Sequence, residues 1–281
     1  MQIIRNDAHV KSQQRRGRLL TTIGFVALAG AFVMVWLQRS RPELILLAYA
    51  LMLFGFVFFN MGLQIVGKFL TNDRKKRADQ LLDRTLERLN DRYAIIHYAQ
   101  VGKRAVEHQI VHTGGVLVIT MREIAGKIIV NEHRWRRGGN PLGRFFNYSG
   151  PQLGNPSADN EGDVAAIKAV LTERGLPDEV EGVIVFTNPL AEVSGSSPID
   201  VLAIDELLDH VRLIASDRER PVLSTKDRAA IVEALAQGLD TDKGTPTNER
   251  RKRPVRGGTA PGRMGSARAT TPEVGAPNTK S

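Results

Sequence analysis

The stretch AVEHQIVHTGGVLVIT, Ala105 to Thr120, reads as two β-strands joined by a tight turn. Val106, His108 and Ile110 alternate with Glu107, Gln109 and Val111, the two-residue period of a strand with two distinct faces. Thr113-Gly114-Gly115 is hairpin punctuation, and Val116–Thr120 is an apolar, β-branched strand. Working outward, Tyr93–Val101 reads as a strand ahead of a Gly102-Lys103-Arg104 turn. Ile124-Ala125-Gly126-Lys127 turns into Ile128–Val130, and the pattern predicts a three-strand antiparallel meander.

Beyond it, residues 132–156 are rich in Gly, Asn and Pro and read as a loop. Asp159–Gly175 has helical spacing through Val164, Ile167, Val170 and Leu171. Val183–Phe186 and Val201–Ile204 read as short strands, Asp205–Ile214 as a helix, and Lys226–Gln237 as a last helix capped by Ser224. Strands mixed with helices place residues 94–240 in the α/β class, as a mixed sheet flanked by helices and of ordinary domain size.

Ahead of this domain, Leu19–Leu37 and Leu44–Val66 contain no charged residue. Each is long enough as a helix to cross a hydrocarbon core of about 30 Å. The short polar break between them predicts a transmembrane helical hairpin over residues 19–67. Lys11, Arg15, Arg16 and Arg18 precede it in a basic segment, residues 1–18, and Lys68 with Arg74–Arg77 follows it. The intervening loop holds only Arg39 and Arg41, so the positive-inside rule puts both termini and the soluble domain on the cytoplasmic side of the cell membrane. Ala27 and Ala31, with Gly24 and Gly30, offer small surface for close helix packing. Asn60 and Gln64 are the polar residues of the second span; neither ionises, and two spans without a buried charge make a poor transporter. Residues 68–93 read as a juxtamembrane amphipathic helix through Ala78, Leu82, Leu86, Leu89 and Tyr93, its first-turn cations facing lipid head groups.

The chain has no cysteine, which excludes disulfides, a thiol nucleophile and cysteine metal sites. Its net charge of +9 comes largely from the membrane flanks and from residues 241–281, a Gly-, Pro- and Arg-rich tail expected to be disordered. There is no Gly-rich phosphate loop, nucleophile elbow or Walker lysine. His97, His108, His112 and His133 lack the spacing of zinc motifs and read as structural or surface residues. Arg134, Trp135, Arg136, Arg137 and Arg144, with Phe145, Phe146 and Tyr148, mix cations and aromatics in the manner of an ordinary basic loop packing its rings on a core, and also of a single-stranded nucleic-acid surface.

The sequence Ala105–Val111, then Gly114–Ile119, Gly126-Lys127-Ile128, Trp135, Asn155-Pro156 and Val185–Asn188 resembles the NERD (nuclease-related) domain family, a branch of the PD-(D/E)xK, restriction-endonuclease-like fold. The resemblance covers about residues 94–215 and implies a restriction-endonuclease-like sheet, DNA or RNA as partner, and phosphodiester cleavage assisted by Mg²⁺ or Mn²⁺. It places the family's first acid at Glu107, its second acid at Thr120 and its lysine at Arg122. Glu107 keeps a carboxylate and stands as the single candidate metal ligand, Thr120 removes an anionic ligand, and Arg122 keeps charge without serving as a proton carrier. Glu123 is a displaced carboxylate that only a bulge at Met121–Glu123 would turn to the metal side. The expectation is therefore a membrane-anchored, degenerate nuclease fold used for nucleic-acid binding or scaffolding, against the alternatives of an active nuclease with a rearranged site and a purely structural interaction protein.

Overall fold

A computed structural model of the chain describes residues 1–37, 44–69, 77–138, 152–217, 221–237 and 239. The loop 38–43, Arg74-Lys75-Lys76, Arg144 with its aromatic neighbours, and the tail 241–281 lie outside the described residues.

The segment before the apolar stretches holds more than topogenic charge. Gln2–Arg5 form strand β1, Asn6 follows, and helix α1 runs over Asp7–Leu37. The Asn6 side chain caps α1 by accepting from the His9 amide at 2.9 Å. Helix α2 spans Ile45–Phe69, and both helices are long and apolar enough to cross a membrane. The helices meet along buried Val10, Gly17, Gly24 and Ala31 of α1 and Ala48, Gly55, Gly62 and Phe69 of α2. This seven-residue repeat keeps one seam in register along both helices. A methyl group at Gly24 would lie 2.3 Å from the Phe59 backbone nitrogen, and one at Gly62 would lie 2.4 Å from that of Thr21. The small residues thus let the backbones touch, as expected for Gly24, Ala27 and Ala31. Gly30 is different: nothing lies within 4 Å of where its side chain would be, so it takes no part in the seam.

Helix α3 covers Ala78–Thr85, shorter than the amphipathic pattern suggested, although Leu82, Leu86 and Leu89 are buried as that pattern requires. Strands β2 (Ala94–Val101), β3 (Arg104–His112) and β4 (Gly115–Arg122) form an antiparallel meander. Strand β5 (Gly126–Asn131) leaves that sheet. It pairs with β6 (Arg134–Arg137) and, in parallel, with β8 (Ala191–Ser196). Arg134–Arg137 is therefore a strand and not a loop; three arginines around one buried tryptophan hid its alternation. The main sheet continues from β4 to the parallel strands β7 (Val180–Phe186) and β9 (Asp200–Ala203), in the order β1-β2-β3-β4-β7-β9. Strand β1 lies parallel to β2 at the sheet edge.

Helices α4 (Pro156–Glu173) and α6 (Thr225–Leu235) cover one face over Ile96, Val116 and Val118. Helices α3 and α5 (Leu207–Ser216) cover the other over Ile95, Ile110, Leu117 and Ile119. This is the mixed α/β sheet flanked by helices and preceded by a helical hairpin. Covering both faces explains why β4 is apolar from Val116 to Ile119.

Strand β1 is tied down by charge. Asp79 is fully buried, 2.8 Å from Arg5 Nε, and accepts from Arg77 Nε at 3.0 Å and Arg77 Nη2 at 2.8 Å. Burial acts to raise the Asp79 carboxyl, and the Arg77 bond with the charges of Arg5 and Arg77 outweighs it and holds the group below the usual carboxylate range. Asp79→Asn leaves two partly buried guanidinium groups without their shared anion. It should lower the unfolding free energy by about 2–3 kcal/mol, toward the lower end for breaking a buried pair, as measured by denaturant unfolding of the detergent-solubilised chain.

Candidate functional site

Glu107 sits where β2 and β3 change phase. His97 pairs with His108 and Ala99 with Val106, so Glu107 stands opposite Tyr98. Tyr98 has φ 58°, a left-handed backbone that costs a bulky residue on the order of 1–3 kcal/mol. On one side of this pair Ile96 and Val111 face the α4–α6 core; on the other side Ala99 and Val106 do. The alternation expected for β3 consequently breaks: Ile110 lies in the α3–α5 core and Val106 in the opposite one.

The Glu107 side chain is 35% exposed and reaches Lys68 at the end of α2, with Nζ to Oε1 at 2.5 Å. Burial acts to raise this carboxyl, but Lys68, the neighbouring His108 and Arg122 together bring it below the ordinary glutamate value. Thr120 is 6% exposed, and its hydroxyl accepts from Asn160 Nδ2 of α4 at 3.0 Å. The same amide reaches the carbonyls of Val118 at 3.2 Å and Val183 at 3.3 Å. Room for it exists because position 182 is glycine; a methyl group there would lie 1.6 Å from Asn160 Oδ1. Arg122 spends its donors on the Leu153 carbonyl at 3.1 Å, the Met121 carbonyl at 3.0 Å and the Asp159 carboxylate.

Glu123 is exposed just past the end of β4. The β4–β7 register runs without a bulge from Val116↔Val180 to Arg122↔Phe186, so the rearrangement that would turn Glu123 toward Thr120 does not occur along the paired strand. Among the described residues no group of three or more His, Asp or Glu side chains is arranged to hold a metal ion. The Mg²⁺ or Mn²⁺ implied by the resemblance does not fit this donor set, where a hydroxyl already bonded to Asn160 replaces one carboxylate and Lys68 occupies the other.

Three residues around this pole escaped sequence reasoning. Lys68 counted only as a flanking charge, and Asn160 and Asp163 were not singled out. Asp163 pairs with Arg104 Nε at 2.9 Å, yet burial, reinforced by the nearby negative charges of Glu107 and Asp159, raises its carboxyl above the usual value. The Asp159–Asp163 spacing of four on α4 was the available signal.

The histidines divide by burial. His97 bridges His108, Nδ1 to Nδ1 at 2.9 Å, and Asp83, Nε2 to Oδ1 at 2.9 Å. The His112 ring accepts from the Gly114 amide at 3.1 Å, whereas exposed His133 lies 3.1 Å from Glu161.

The arginines of β6 form a second, basic surface. Arg134 pairs with Asn131 and Arg136 with Ile129, on the outer face of the small sheet that also carries exposed Lys127. Ser194, Ser196 and one acid, Glu192, complete that face from β8. Trp135 points inward: it is 9% exposed, its ring centroid is 6.0 Å from that of Phe186, and its indole N–H donates to Ser157 Oγ at 2.8 Å. It anchors the small sheet and is not presented for base stacking. Arg137 is half-buried, and Arg144 lies outside the described residues.

The segment that carries Glu107, Thr120 and Arg122 matches a known family. Residues 73–187 match NERD, the nuclease-related domain. No curated protein and no solved structure matches the chain. The NERD match runs from the approach to α3 to the end of β7, so it contains Glu107, Thr120, Arg122, Glu123 and Arg134–Arg137, while the hairpin, β8, β9, α5 and α6 lie outside it.

Two outcomes follow for the NERD segment. Asn160→Ala removes the amide that joins Thr120 to the β4 and β7 carbonyls and should cost about 1–3 kcal/mol of stability, read from thermal unfolding in detergent. His108 is fully buried, and desolvation together with adjacent His97 pushes it down to about 3 from 6.5. Below pH 6.5 the unfolded chain takes up a proton that the folded chain refuses, so stability falls as pH drops from about 6.5 toward 3. That part of the slope should be missing in His108→Gln when unfolding midpoints are compared across the pH series.

Proposed function

We propose that this chain is a membrane-anchored NERD protein whose soluble domain binds nucleic acid at the cytoplasmic face without cutting it. The observation that carries the reading is that each position of the acid and ExK pattern is engaged within the protein: Glu107 by Lys68, Thr120 by Asn160, and Arg122 by Asp159 and Leu153. The two apolar helices supply the anchor. The basic flanks Lys11–Arg18 and Lys68–Arg77, against the two arginines of the intervening loop, support the cytoplasmic orientation. Binding rests on Lys127, Arg134 and Arg136, exposed cations on one strand-paired face, which contact a phosphate backbone without sequence preference.

The test uses the full chain in detergent or nanodiscs, with plasmid and single-stranded DNA, and with Mg²⁺, Mn²⁺ or chelator. The expected result is no cleavage and an affinity that falls steeply with salt. Arg134→Ala with Arg136→Ala should weaken binding to all sequences alike and flatten the log–log salt slope by about 2, one for each lost phosphate contact. Metal-dependent cutting that disappears in Glu107→Ala would establish a nuclease with a rearranged site instead. Neither cutting nor binding would leave a structural interaction protein.

A further inference from the structure

The hairpin reaches the soluble domain at the acid position itself. Lys68 holds Glu107 at 2.5 Å, and the next residue, Phe69, packs its ring 5.7 Å from Tyr98, the residue opposite Glu107. His9 of α1 stacks on Tyr98 from a centroid distance of 5.8 Å and an interplanar angle of 16°. Asn6 Nδ2 donates to the Tyr98 carbonyl at 3.1 Å, and Gln14 of α1 donates to the Phe69 carbonyl at 2.9 Å. Val10, Phe69 and Tyr98 form a small buried cluster of their own, apart from the main cores. The two helices of the hairpin thus grip the one residue of β2 whose backbone is left-handed.

A left-handed tyrosine persists only where its surroundings over-determine it. Here the rings of His108 and His97 flank it within the sheet at 5.4 and 6.4 Å, and His9, Val10, Phe69 and the Asn6 that caps α1 enclose it from the hairpin side. We propose that the docked hairpin is a latch: it holds β2 and β3 in their inverted phase at Tyr98 and Glu107 and closes the Glu107 carboxylate against Lys68, and displacement of α2 releases both together. With α2 withdrawn, Tyr98 loses the Phe69 ring and Glu107 loses Lys68, so the strained junction is free to relax and Glu107 changes both partner and exposure. The seating of the hairpin and the state of the acid pole are then one two-state element. The latch rests on contacts at the hairpin–sheet junction and not on nucleic-acid binding, so it stands or falls apart from the function proposed above.

Hydrogen exchange of the full chain in lipid nanodiscs, read by mass spectrometry, tests it. Lys68→Glu sets two carboxylates together, and Phe69→Ala removes the ring contact while leaving every charge in place. Both variants should raise amide exchange several-fold in residues 96–101 and 104–108 and leave β4 and β7 at parental rates. The charge-swapped pair Lys68→Glu with Glu107→Lys should return β2 and β3 to parental rates. Unchanged exchange at β2 and β3 in both single variants overturns the latch. So does a rise spread equally over β4 and β7, which marks general destabilisation, and so does failure of the swap to restore protection.

Discussion

The inversion of strand phase at Tyr98 and Glu107 is the constraint on which the rest of this structure turns. A β-strand commits alternate side chains to opposite faces, so a change of phase in one strand of a two-sided sheet would throw its apolar residues into the wrong core. Both strands of the pair change together here. Ile96 and Ala99 of β2 reach the same core across Tyr98, and Val106 and Val111 of β3 reach it across Glu107. The paired inversion leaves Glu107 out of the regular pleat, and Lys68 takes it up. The acid of β3 singled out by the family resemblance is therefore held by the hairpin.

Thr120 and Arg122, the other two positions singled out by the family resemblance, are both engaged in structural contacts. A carboxylate at position 120 would sit at a buried site facing an amide already committed to two carbonyls. Without a metal or another cation it would carry an uncompensated charge. Threonine avoids that cost and gives Asn160 a neutral acceptor. A lysine at 122 would supply a point charge, whereas arginine spreads five donors in a plane. Arg122 uses that geometry to tie the end of β4 to Leu153 and to Asp159 in the first turn of α4.

What was legible in the sequence follows the range of the interactions involved. The apolar runs declared the hairpin, and alternation with a Thr-Gly turn declared β3 and β4, because both signals are local. Strand β1 was not legible: four residues define no period, and only the parallel neighbour β2 makes Gln2–Arg5 a strand. Strand β6 was hidden by its arginines, and the polar start of α1 by the charge that precedes the apolar stretch. The family resemblance pointed to Glu107, Thr120 and Arg122, but their side-chain partners lie 39, 40 and 37 residues away in Lys68, Asn160 and Asp159. No short pattern spans such separations. Only the glycine at 182, which leaves space for the Asn160 amide, marked the contact in the sequence, and a glycine within an apolar strand has many possible reasons.

Topology gives the hairpin a second role. Parallel neighbours in a sheet require a crossover connection, usually a helix that packs back on the sheet. The parallel neighbours β1 and β2 are joined by α1, α2 and α3, so the crossover is the pair of candidate spans itself. The hairpin is an excursion made between two adjacent strands and not an appendage fused ahead of a finished domain. A cut between α2 and α3 would remove β1, uncover the edge of β2, separate Arg5 from buried Asp79 and strip the cluster around Tyr98. The same covalent order explains how the hairpin presses on Glu107 with so few contacts. Its two ends are held within the sheet, at β1 through Asn6 and at β3 through Lys68, and a shift of either helix must be absorbed where they meet, at Tyr98.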